Sequence, residues 1–130
     1  MATIIEKLNA HSDDLFTGKG ASPAQIAEAE AALGVQFAED YKQCLLKFGV
    51  IAFDGHELTG ITSVPRINVV EETERLRVNN PEISHNWYAI EEANIDRITI
   101  WQDTSGKVYG SIPRNKPIKL ANNLAEYLEI

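Results

Sequence analysis

The stretch from Ser22 to Gly49 restricts this chain more than any other, because start and stop signals for two helices follow one another there. Ser22 precedes Pro23, and Gln25 stands three residues after Ser22. These supply an N-cap hydroxyl, a first-turn proline and a side chain able to reach back to the cap. Ile26, Ala29 and Leu33 then form an apolar stripe at helical spacing, and Gly34 supplies a left-handed stop. A second stripe, Ala38, Tyr41, Cys44, Leu45 and Phe48, ends at Gly49. Only Val35-Gln36-Phe37 separates the two, so they predict a helical hairpin.

The flanks follow other periods. Ile4, Ile5, Leu8, Ser12 and Leu15 recur at helical spacing and predict a first helix that ends before Gly18. After the hairpin, Val50-Ile51-Ala52-Phe53 reads as a strand, and Asp54-Gly55 as a two-residue turn into a second strand from His56 to Ile61. Asn68 with Glu71 caps a short helix through Val69, Thr73 and Leu76, which Asn79-Asn80-Pro81 breaks. Strands are predicted over Trp87-Tyr88-Ala89-Ile90, over Ile98-Thr99-Ile100-Trp101-Gln102 and from Lys107 to Ile112. The last two flank the turn Asp103-Thr104-Ser105-Gly106. Leu120, Leu124 and Leu128, spaced by four, mark a C-terminal helix. The expected class is α+β: one domain over residues 1–130, an antiparallel sheet with the helical hairpin before it and a helix after it.

Charge narrows the partners. The 130 residues carry 12 Lys and Arg against 19 Asp and Glu, a formal net charge of −7. Nucleic-acid binding needs a clustered cationic excess, so it is excluded as an expectation; a basic protein partner is compatible. Four basic and nine acidic residues fall in 1–65, against eight and ten in 66–130, so the acidic bias lies mostly in the first half. Cys44 has no second cysteine to pair with, the first residues lack a basic and apolar leader, and no apolar run is long enough for a membrane span. A cytoplasmic, monomeric protein with no membrane contact is expected.

Catalytic constellations are weak. His11, His56 and His85 are far apart and lack a second ligand at helical spacing, so no zinc motif forms. Cys44 sits on an apolar helical stripe, where a small core residue is the plain expectation. There is no nucleophile elbow, P-loop or dinucleotide fingerprint. No catalytic residue, cofactor or metal is therefore expected, and a hydrolase using His56 or His85 ranks last among the functions considered. The carboxylate pairs Glu39-Asp40 and Glu71-Glu72 read as first-turn helix acids, and Glu91-Glu92 as a solvated loop after its strand. Strand alternation sends Trp87 and Tyr88 to opposite faces, so one of them faces outward. Acids at turns beside such aromatics suit a protein interface. The candidate partner-binding residues are Asp54, Glu57, Trp87, Tyr88, Glu91, Glu92 and Asp103.

The hairpin also carries a resemblance. Residues 21–49, with Ile26, Glu30, Leu33-Gly34, Tyr41-Lys42 and Leu46, are similar to the opening of the SUKH (Smi/Knr-like) superfamily. In that superfamily a capped helix ending in Leu-Gly precedes a Leu-Pro-x-x-Tyr-Lys segment; here Ala38 stands where proline is usual. Gly60, the turn at Gly106 before Val108-Tyr109, and the run from Leu120 to Leu128 resemble its later landmarks, so the similarity spans residues 21–128. The resemblance implies a small α+β domain. It also implies an immunity protein that binds and neutralises a cognate polymorphic toxin, expected to be a basic nuclease domain. The alternative it implies is an intracellular scaffold or regulatory adaptor without a toxin.

Overall fold

The structure, a computed structural model, describes residues 3–92 and 98–130. In chain order it contains α1 (Ile4–Asn9), β1 (Leu15–Thr17), α2 (Pro23–Leu33), α3 (Glu39–Phe48), β2 (Ile51–Phe53) and β3 (His56–Leu58). There follow α4 (Val69–Asn79), β4 (Tyr88–Glu92), β5 (Thr99–Gln102), β6 (Val108–Ser111), β7 (Ile118–Ala121) and α5 (Leu124–Leu128). This is the α+β arrangement expected, except that the strands divide into two antiparallel sheets, β1-β2-β3 and β4-β5-β6-β7. The sheets meet where the Thr59 N–H donates to the Ile90 carbonyl at 2.8 Å and Thr59 Oγ1 donates to the Ala89 carbonyl at 2.8 Å.

The helical hairpin forms as its caps require. Ser22 Oγ accepts the Gln25 N–H at 3.1 Å, and the Gln25 side chain accepts the Ser22 N–H at 2.9 Å. Two of the donors that a helix start leaves unpaired are satisfied in this way. Gly34 closes α2 with φ of 68°, a conformation costly for residues with a Cβ. Glu30 then ties the connection together: its carboxylate accepts the Phe37 N–H at 2.9 Å and lies 3.6 Å from the Lys42 ammonium. Ile26, Leu33, Tyr41, Leu45 and Phe48 all enter the main core, where they meet Ile51, Leu58, Tyr88, Val108 and Leu124. Burying each aliphatic side chain contributes about 1.5–3 kcal/mol.

Hydrogen bonds from side chains hold these layers in register. The Ala38 N–H, which a proline would lack, donates to Tyr88 Oη at 2.9 Å, and that hydroxyl donates to Gln102 Oε1 at 2.6 Å. Thr73 Oγ1 of α4 accepts the Ala89 N–H at 3.0 Å, and Asn68 caps α4 by accepting the N–H groups of Val70 and Glu71. Arg77 donates to the Leu33 carbonyl at 3.2 Å, covering the end of α2 where the helix dipole is negative. The backbone closes most tightly at Gly60, where an added Cβ would lie 1.8 Å from the Gly49 carbonyl oxygen.

Three expectations are corrected. The first helix stops at Asn9, and Leu15–Thr17 is a strand paired with β2, with Phe16 opposite Ala52. One turn of periodicity carried by Ser12 and Leu15 could not hold a helix against the free edge of the β2–β3 hairpin, because short helices are marginal without packing. Leu120 belongs to β7, not to the last helix; α5 starts at Leu124, after Asn123 caps the Glu126 N–H at 2.8 Å. Glu91 and Glu92 continue β4 past Ile90, through a register shift between Ala89 and Glu91, so neither lies in a loop.

Candidate functional site

The β2–β3 hairpin turns at Asp54 and Gly55, whose φ values of 46° and 83° are those of a type I′ turn. This tight turn aims β3 along β4. The Glu57 N–H consequently donates to Glu91 Oε2 at 2.8 Å. A carboxylate only accepts, so the His56 Nδ1 that lies 2.9 Å from Glu91 Oε1 carries a proton, and Tyr127 Oη donates to the same oxygen. Glu91 is buried, and its carboxylate fastens the hairpin to β4 and α5. Burial, then the hydrogen bond to Glu91 and its charge, push the Tyr127 hydroxyl above the ordinary tyrosine range.

Beside this latch, α4 and the turn Pro65–Ile67 close a polar groove of about 150 Å³ against the same strands. Arg66 donates to the Glu57 carboxylate. Arg75 reaches Glu72 at 2.7 Å and Glu92 at 3.1 Å. These hydrogen bonds, that to Glu72 first for Arg75, hold both guanidiniums above their ordinary range. Glu57 and Glu92 are half exposed at the rim, whereas Glu72 lies inside.

The remaining candidates lie elsewhere. Trp87 is half-buried and stacks on Tyr109, with ring centroids 4.0 Å apart and planes at 9°. Tyr109 Oη donates to Asp103 Oδ2 at 2.9 Å, while Asp103 Oδ1 accepts from Ser105 Oγ and from the backbone N–H groups of Ser105 and Lys107. Burial raises the Asp103 carboxyl, but the bonds from Ser105, Tyr109 and Lys107 outweigh it and leave the group below the usual carboxylate range. Asp103 thus closes its own turn. Tyr88 is fully buried, and Trp87 is the outward member of that pair. The structure brings Glu57, Glu91 and Glu92 together, places Asp54 at the adjoining hairpin tip, and sets Trp87 with Asp103 in a separate group.

Two of the groups able to do chemistry, Cys44 and His11, are engaged in packing. Burial, followed by the charge of Asp40, pushes the Cys44 thiol up to about 12, far from the thiolate a nucleophile needs. His11 sits edge-on to Phe53 at 5.7 Å. Among the described residues, no group of three His, Cys, Asp or Glu side chains is placed to hold a metal ion, and no helix is long and apolar enough to cross a membrane.

The SUKH_5 family model, described as SMI1-KNR4 cell-wall, matches residues 1–129. The chain belongs to the SUKH family. No curated protein matches it closely enough to count as a relative. In this SUKH domain the positions that carry the likeness have structural work: Ile26, Leu33 and Tyr41 are buried, Glu30 and Lys42 pair across the hairpin, and Gly60 admits the Gly49 backbone. Sequence reasoning missed Arg66, Arg75 and Glu72 of the groove, which only the packing of α4 beside β4 brings to Glu57 and Glu92. It also missed Phe16, for which the β-type run Leu15-Phe16-Thr17 was the available signal.

Proposed function

We propose that this SUKH domain is an immunity protein, a non-enzymatic inhibitor that acts in the cytoplasm. It binds a cognate polymorphic toxin domain, of basic charge and nuclease type, and neutralises it by protein–protein contact. One observation carries the reading: Asp54, Glu57 and Glu92 stand outward along the hairpin and the adjoining rim of β4, on a chain of net charge −7. A nuclease must hold phosphates with a basic cleft, and an acidic inhibitor reaches such a cleft by electrostatic attraction. Hairpin tips tolerate substitution without loss of the fold, which suits a protein matched to one toxin among many. The family match supports the reading, and so does the engagement of Cys44, His56 and Glu91 in internal contacts.

The test is co-expression of this chain with the toxin domain encoded beside its gene. Restored growth together with a stable purified complex is the expected result. Toxicity unchanged by the chain, with no complex formed, overturns the reading in favour of a scaffold or adaptor.

A further inference from the structure

The outer face of the small sheet sets an exposed aromatic, Phe16, beside the acids Asp54 and Glu57. Register places Phe16 opposite Ala52 and Ala52 opposite Glu57, so these three side chains form one row across β1, β2 and β3. The neighbouring row, Thr17, Ile51 and Leu58, points to the other face, where Ile51 and Leu58 enter the core. Phe16 is 73% exposed, a large aromatic standing in water on an edge strand. It lines a shallow recess of about 310 Å³ with Ala52, Phe53 and Gly55 as its apolar part and Asp14, Asp54 and Glu57 as its carboxylates. Among the described residues, no Lys or Arg lines the recess and His56 is the one base there, while Arg66 meets Glu57 from the groove side. Glu57 lines both the recess and the groove and stands between them.

Resting on the immunity reading, we propose that this recess docks an arginine-bearing segment of the partner protein. A guanidinium laid over the Phe16 ring gains cation–π and stacking contact, its aliphatic stem covers Ala52 and Gly55, and its N–H groups reach Asp14 and Asp54. An aliphatic segment alone would leave the acidic rim unmatched. A second copy of this chain would bring its own −7 charge to an acidic face.

Amide chemical shifts of the full chain, titrated with the peptide acetyl-Arg-Leu-Arg-Leu-Arg-amide, test this directly. Shifts centred on Phe16, Ala52 and Gly55 are expected, with Phe16→Ser weakening binding about tenfold while the melting temperature stays put. Asp14→Asn combined with Asp54→Asn weakens it further and flattens its salt dependence. Shifts elsewhere, equal binding by Phe16→Ser, equal binding of the Asp-for-Arg peptide, or dimerisation through this face overturns the proposal. The co-expression assay keeps the two ideas apart. If the wild type protects and Phe16→Ser protects equally, the docking site falls and the immunity reading stands. If the wild type does not protect, that reading falls and the peptide titration still decides what the recess binds.

Discussion

Asp40 and Gln102, 62 residues apart, meet at 3.0 Å, with Gln102 Nε2 donating to Asp40 Oδ1. The other oxygen, Oδ2, accepts the Leu124 N–H at the start of α5 at 2.9 Å, so one carboxylate joins α3, β5 and α5. Gln102 passes the connection on by accepting from Tyr88. Asp40→Ala should therefore cost about 1–3 kcal/mol, the penalty for leaving such donors unsatisfied. Asp40→Asn should cost less, because one oxygen remains to accept. Urea midpoints for the two variants check this, and midpoints equal to that of the unmodified chain would show that the connection carries no weight.

The helical hairpin gives a packing prediction. Leu33 and Leu45 are 5% and 1% exposed, and replacing either with Ala should cost about 2–5 kcal/mol. Gly34→Val should cost about 1–2 kcal/mol for a different reason. An added Cβ there meets nothing within 4 Å, so the loss is backbone strain at φ of 68° and not a clash. Urea midpoints of the three variants at unchanged slope measure these losses.

Glu91 and Glu92 should respond unequally despite being neighbours. Glu91→Ala strands the Glu57 N–H and the Tyr127 hydroxyl and should cost about 1–3 kcal/mol. Glu57→Lys and Glu92→Lys reverse half-exposed charges and should each shift stability by at most about 1 kcal/mol. Thermal melts of the three variants are sufficient to decide.

Alkaline pH offers a fourth check. Burial raises the hydroxyls of Tyr41, Tyr88 and Tyr127 above their ordinary value, and Tyr109 moves the same way. A raised folded pKa contributes stability that is intact below the unfolded value, near 10. That contribution is lost as pH rises from there towards the folded value. Tyrosinate absorbance at 295 nm should therefore stay low above pH 10 and then rise together with loss of near-ultraviolet dichroism. A gradual rise involving more than one tyrosine while the dichroism persists would contradict the burial of Tyr41, Tyr88 and Tyr127.

If the proposed immunity function holds, the rate of association with a basic toxin domain falls as salt rises. Reversing Asp54, Glu57 and Glu92 together to Lys should slow it and flatten that dependence, since these are exposed acids of the hairpin and the adjoining rim of β4. Stopped-flow rates over a salt series measure both effects. A wild-type rate indifferent to salt would remove attraction by charge from the mechanism.

What could be read along the chain was local. Ser22 with Gln25, Asn68 before α4, and the Asp54-Gly55 turn act over two to four residues, and each appears where its side-chain chemistry requires it. The stripe of Tyr41, Cys44, Leu45 and Phe48 likewise needed no partner to be recognised as a buried face. These signals also carried the family likeness, because Leu33-Gly34 and Tyr41-Lys42 are conformational and packing constraints before they are anything else.

Long-range pairing decided the rest. Leu15-Phe16-Thr17 is short and ambiguous until the edge of β2 offers it hydrogen bonds, and Leu120 keeps helical spacing with Leu124 although it lies in β7, at the register shift between Lys119 and Ala121, which pair with β6. Glu91 and Glu92 are identical in type and adjacent, yet one is enclosed by His56, Tyr127 and the Glu57 backbone while the other meets Arg75 at the rim. Composition supplied the acidic charge, but only tertiary packing chose which carboxylates are enclosed by converging donors and which stand half exposed at the rim. The physical reason is desolvation: a carboxylate leaves water only where several donors converge, and those donors come from segments distant in the chain.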